Sequence, residues 1–135
     1  MSDKPKYTFR DLWDEHAEWS RRTFGADDAR GPSGPLLHLA REAVEVVEVP
    51  GDLSEHADCL LLGMDACRRA GMTADDFAKV LAALTVIIAG EPEDWYSPLM
   101  SAARTKLAVN KARQWGQASA DAPVFHTKEA PAHAD

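Results

Sequence analysis

At 135 residues and 14.8 kDa the chain has room for one domain and not two. Asp and Glu number 22 against 15 Lys and Arg, and the resulting charge of −7 repels phosphate backbones and argues against nucleic-acid polymers as partners. A single nucleotide stays open, because a bound divalent cation inverts the local field. Apolar residues at 45% fit a globular protein; no apolar run approaches the roughly 20 residues of a membrane span, and the stretch 1–6 lacks a signal-peptide core, so the expected location is the cytoplasm.

Alanine occurs 23 times and apolar residues recur at spacings of three and four, so the elements read as helices. The first spans 9–23. Thr8 is its N-cap, with Asp11 at capping-box spacing, and Phe9, Leu12, Trp13, His16 and Trp19 or Ser20 face inward. Residues 25–34, rich in Gly, Pro and Asp, form a loop. The second helix starts near Pro35, a favoured first helical residue, and runs to Val49, where Pro50-Gly51 stops it. It is apolar almost all round, which predicts burial on most sides.

The third helix follows Asp52 and closes at Gly71. Cys59 and Cys67 fall eight apart on it, a rise of about 12 Å and too far for a disulfide. The fourth follows Thr73-Ala74-Asp75-Asp76 and ends near Ala89. Residues 91–98, with Trp95 and Tyr96, read as a loop, and Ser97-Pro98 opens a fifth helix that continues to Trp115. From Gln117 the chain has almost no large apolar residue, which predicts a disordered tail. The expected domain is therefore 1–116 and the expected tail 117–135. The fold class is all-α, an antiparallel bundle of about five helices, completed by oligomerisation because so short a chain carries several apolar faces.

Acidic residues stand in the wrong place for a solvated helix. Glu42 and Glu45 lie three apart on the apolar second helix, and Glu55 and Asp58 repeat that spacing on the third. The short Pro50-Gly51-Asp52 turn predicts an antiparallel hairpin, with four carboxylates converging between two helices. Such groups repel and lose hydration unless something compensates. A hard divalent cation, Mg²⁺ or Mn²⁺, suits them; zinc does not, because no cysteine pair has ligand spacing and the histidines are scattered. The bland alternatives are specific. Glu55 completes a capping box with Asp52, Glu42 and Glu45 pair with Arg41 or lysines, and Asp65 pairs with Arg68 or Arg69.

The string Glu42-x-x-Glu45 followed by Glu55-x-x-Asp58 resembles the divided acidic motif of the MazG-like all-α nucleotide pyrophosphohydrolases. More of the chain is similar to their phage dATP/dGTP pyrophosphohydrolase branch, which includes MazZ-type members from phages with 2-aminoadenine genomes. Trp19-Ser20-Arg21-Arg22-Thr23-Phe24-Gly25 resembles its opening motif. His38-x-x-Arg41-Glu42-x-x-Glu45 with Pro50-x-Asp52-x-x-Glu55-x-x-Asp58 resembles its metal-helix pair. The run 61–71, with Asp65 and Arg69-Ala70-Gly71, continues the likeness, and Lys106-x-x-x-Asn110-x-x-Arg113-x-Trp115 resembles its closing motif. Departures are Arg41 where an acid usually stands, His56 where an aromatic precedes Ala57, and a longer stretch over 85–99.

The resemblance implies hydrolysis of a purine deoxynucleoside triphosphate, preferably dGTP and also GTP, to the monophosphate and pyrophosphate, with dGMP supplied to 2-aminoadenine nucleotide synthesis. It implies that Glu42, Glu45, Glu55 and Asp58 hold two or three Mg²⁺ or Mn²⁺ ions, with Glu45 as proton acceptor. It further implies that Lys106, Asn110 and Arg113 bind phosphates, Trp19 and Phe24 stack on the base and sugar, and His38 touches phosphate or steadies a ligand. A homodimer or homotetramer is expected, in the host cytoplasm if the gene is a phage's. Competing readings are a dATP/dGTP or general house-cleaning pyrophosphatase, a phosphoribosyl-ATP pyrophosphohydrolase and a non-enzymatic helical interaction module.

Overall fold

The computed structural model describes residues 6–89 and 92–127. Its helices are α1 (Phe9–Phe24), α2 (Ser33–Glu48), α3 (Leu53–Arg69), α4 (Ala74–Ala89) and α5 (Pro92–Ala112). Among the described residues there is no strand, only an isolated antiparallel bridge between Trp115 and His126. The all-α expectation holds.

Local chemistry explains the helix ends. The Thr8 hydroxyl accepts from the Asp11 N–H at 3.1 Å, and the Asp11 carboxylate accepts from the Thr8 N–H at 2.8 Å, closing the expected capping box. Gly25 ends α1 at φ 115°, a conformation that disfavours any side chain. At the start of α3 the Asp52 carboxylate accepts from the Ser54 N–H at 3.0 Å and the Ser54 hydroxyl at 2.8 Å. Glu55 takes no part in this cap and is left to face α2.

The core lies where α3 meets α1, α4 and α5. Leu12, Leu61, Met64, Ala103 and Leu107 are buried there, and Phe9, Trp13 and Phe77 form an aromatic cluster at its edge. Helix α2 is different. Among the described residues its only helix neighbour is α3. Leu37, Val44 and Val47 stay exposed, Val47 by 78%, so the expected burial of α2 on most sides does not occur within one chain. Three of its residues are buried: Gly34, Pro35 and Glu42.

Two further expectations change. Helix α5 begins at Pro92, so residues 92–98 are helical where a loop was expected, and Pro98 sits inside the helix. Pro92 serves as the favoured first residue, whereas Pro98, the seventh, forgoes one hydrogen bond of the helix ladder. The tail also differs. Residues 117–127 run back across the molecule, with Val124 only 5% exposed, while 128–135 lie outside the described residues. Apart from Val124 and Phe125, backbone carbonyls hold this segment, which is why its composition read as disorder.

A buried ionic cluster joins α1, α3 and the 25–32 loop. The Arg69 side chain is fully buried; its Nε donates to Asp65 at 3.1 Å, its Nη2 to the Ser20 hydroxyl at 2.9 Å and its Nη1 to the Arg30 carbonyl at 3.0 Å. Ser20 donates in turn to Asp65 at 2.8 Å. Arg68 pairs with Asp65 at 2.8 Å and with Asp27 at 3.2 Å. Burial raises the Asp65 carboxyl, but His16, Arg68, Arg69 and the Ser20 hydrogen bond outweigh it and the net displacement is downward. Arg21 and Arg22, by contrast, pair at the surface with Asp27 and Glu18, away from the site described below.

Removing one partner of a buried pair strands the other charge. Arg69→Met is expected to cost about 3–5 kcal/mol of unfolding free energy in urea titration. Arg22→Ala, at an exposed pair, leaves the urea midpoint nearly unchanged.

Candidate active site

The Pro50-Gly51 turn folds α3 back along α2, and the spacing of three within each acidic pair directs the pairs at one another. The result is a cavity of about 310 Å³ lined at one end by Glu42, Glu45, Glu55 and Asp58. Carboxylate oxygens of Glu42, Glu45 and Glu55 all lie within 4.8 Å of one another. Asp58 lines the same cavity but is drawn toward α5, where Lys106 Nζ stands 3.5 Å from its Oδ2. The expected fourfold convergence is thus a threefold cluster with Asp58 beside it.

The electrostatics show how unbalanced this end is. Burial works against the Glu42 anion, but hydrogen bonds with His38 (Nε2 to Oε1, 3.2 Å) and Glu45 hold its carboxyl down at about 2. Two carboxyl groups can share a hydrogen bond only if one keeps a proton. Burial, with Glu42 and Glu55 nearby, pushes Asp58 up to about 6 despite Lys106. Burial and the surrounding acids together push the Cys59 thiol up to about 11. Glu42 Oε2 and Glu55 Oε2 are buried without a hydrogen-bond partner. Orphaned anionic oxygens clustered this tightly fit a hard divalent cation, which takes carboxylate oxygens as ligands. The bland alternatives fail for Glu42 and Glu55: Glu55 is not folded back on a cap, and Arg41 lies instead over the Phe125 ring, 4.8 Å from its centroid.

The rest of the cavity divides by chemistry. Lys106, Asn110 and Arg113 line it from the far part of α5 and the residue beyond its end. Trp19 and Phe24 line it too, but they are also packed edge-on against each other and against Trp115, and Trp19 is only 6% exposed. Trp19 is therefore a core side chain as well as a wall. His38 lies one turn before Glu42 and steadies it through the hydrogen bond above.

Sequence reasoning did not place several wall residues in the site. His16 is buried, which pushes its ring down to about 4 and keeps it neutral near pH 7. Arg30, Phe125 and His126 also line the cavity. The triplet Val124-Phe125-His126 is the one apolar-aromatic break in an otherwise small and polar tail, and that was the available signal.

Over residues 12–98 the chain matches the model of a family described as dATP/dGTP pyrophosphohydrolase. It is also similar to the Eaa protein of Salmonella phage P22, at 39% identity over 117 residues. That alignment covers 87% of this chain and 29% of the relative, so the chain spans less than a third of the longer protein's length. No solved structure matches the chain.

Asp58 gives a pH signature. A carboxyl at about 6 in the fold and near 4 unfolded destabilises the fold when ionised, fully above pH 6, and the cost disappears as pH falls toward 4. In EDTA, Asp58→Asn is therefore expected to be more stable than wild type at pH 8, by up to about 3 kcal/mol, with the gap closing between pH 6 and 4. Thermal melts across that range check it. Mg²⁺ or Mn²⁺ should raise the melting temperature of wild type and not of the variant, because binding to the native state alone is what stabilises it.

Proposed function

The chain belongs to the dATP/dGTP pyrophosphohydrolase family, and on that premise we propose that it hydrolyses a purine deoxynucleoside triphosphate to the monophosphate and pyrophosphate. The observation that carries this reading is the buried carboxylate cluster with two orphaned oxygens, set in one cavity with Lys106, Asn110 and Arg113. A triphosphate needs its charge neutralised before water can attack, and this cavity sets acidic ligands for cations together with Lys106 and Arg113.

In this reading Glu42, Glu45, Glu55 and Asp58 hold two or three divalent cations. Bound Mg²⁺ or Mn²⁺ would supply positive charge for the phosphate oxygens and acidify a water. Glu45 accepts the attacking water's proton. Lys106 gives the leaving phosphates a point charge, Arg113 a planar two-pronged donor and Asn110 a neutral one. His38 fixes the orientation of Glu42. Trp19 and Phe24 form part of the nucleoside side of the cavity.

The finer reading places dGTP first, with GTP accepted and dGMP feeding 2-aminoadenine nucleotide synthesis; the motif likeness supports it. With Mg²⁺ or Mn²⁺, dGTP and dATP should yield monophosphate and pyrophosphate, EDTA should stop turnover, and Glu45→Gln should reduce it by about 100-fold or more. A diphosphate plus inorganic phosphate would overturn the proposal. Equal turnover of dATP and dGTP would remove the preference and leave a house-cleaning role.

We place the activity in the cytoplasm, where triphosphates are; among the described residues no helix is long and apolar enough to cross a membrane. The uncovered apolar face of α2, with Leu37, Val44 and Val47, supports assembly into a homodimer or homotetramer. Gel filtration should give one of those masses, and Val47→Asp should shift it toward the monomer.

A further inference from the structure

The segment 119–127 lies beyond the residues matched by the family model, and the chain is built to hold it over the cavity. Arg30, only 4% exposed, spends its guanidinium on backbone: Nη1 donates to the Ser119 carbonyl at 2.8 Å and to the Ala122 carbonyl at 2.8 Å. The Gly31 N–H donates to the Ala120 carbonyl at 3.0 Å. Further along, the Gly116 N–H donates to the Phe125 carbonyl at 2.9 Å, and the Thr127 N–H to the Gln114 carbonyl at 2.8 Å.

Gly34 makes room for this path. A Cβ at that position would stand 2.5 Å from the Ala122 carbonyl oxygen and 2.6 Å from Arg30 Nη2. Only a residue without a side chain lets the segment cross the start of α2 so closely.

What the segment delivers is aromatic surface. The Phe125 ring meets the His38 ring edge-on, with centroids 4.8 Å apart, and lies under the Arg41 guanidinium. His126 stands edge-on to Trp115 with centroids 5.7 Å apart. Trp19 and Phe24 are already engaged with each other and with Trp115 in the core. Phe125 is the aromatic wall that the core does not claim.

We infer that residues 119–127 are a strap forming one wall of the nucleotide cavity, with Phe125 as a substrate-positioning residue for the nucleoside. This rests on the nucleotide reading above. A base against an aromatic ring gains dispersion and excludes water whatever its identity, so the strap sets affinity more than base choice.

Three perturbations reach the strap by different routes. Phe125→Ala removes the ring, Gly34→Ala displaces the path, and truncation after Ala120 removes the segment. Binding is read by titrating the full chain and each variant with the non-hydrolysable α,β-imido analogue of dGTP and of dATP. Each perturbation is expected to weaken binding by about tenfold and to raise KM with kcat little changed, and Phe125→Tyr is expected to restore both. Unchanged affinity in Phe125→Ala overturns the proposal even if truncation unfolds the chain. Tighter binding or faster turnover on truncation overturns it in favour of a plug. Absence of pyrophosphate release by wild type would sink the activity proposed above without deciding the strap, which the analogue titration decides separately.

Discussion

A guanidinium sealed from water must have an anion and enough acceptors, or the fold around it fails. Arg69 meets that condition only in one arrangement. Asp65 supplies the charge, Ser20 a hydroxyl from α1, and the carbonyls of Gly25 and Arg30 the remaining acceptors. Satisfying Arg69 therefore fixes α1 against α3 and sets the course of the loop between α1 and α2. That loop delivers Arg30, and the start of α2 follows directly from it. The placement of Glu42 one end along α2 is downstream of a side chain that never touches the cavity.

The molecule carries two groups of buried acids and treats them oppositely. Asp65 and Asp27 are surrounded by Arg68 and Arg69 and have their charge answered within the chain. In the second group, Glu42 receives His38 and Asp58 receives Lys106. The contrast lies in the pairing: Asp65 and Glu42 are both buried, yet among the described residues only the second group keeps buried oxygens without partners.

Much of this was legible in the residue pattern. The Thr8–Asp11 cap, the α2–α3 hairpin and the facing acidic pairs follow from spacing and turn chemistry alone. The pairing of Asp65 with Arg68 and Arg69 was open from the same spacing. Other features were not legible, for identifiable reasons. Burial of α2 was overestimated because an apolar helix does not say whether its cover comes from the same chain. Glu55 taken alone fitted a cap better than a cluster, and only the Ser54 contacts of Asp52 decide against the cap. The start of α5 was obscured by Pro98, which read as a first helical residue and stands instead inside the helix. The path of the strap was not legible because it is held largely through carbonyls, which every residue possesses; only Val124-Phe125-His126 hinted at it.

The distance along the chain between Arg30 and its acceptor at Ala122 is 92 residues, with the bundle helices α2–α5 between them. Closing so long a loop is entropically expensive and yields little until the ends are already near each other. The helices must therefore be docked before this contact stabilises anything. It is therefore expected to be among the last to form. The cavity thus has a permanent half, welded into the bundle by α3, and a provisional half whose closure lags behind the rest of folding.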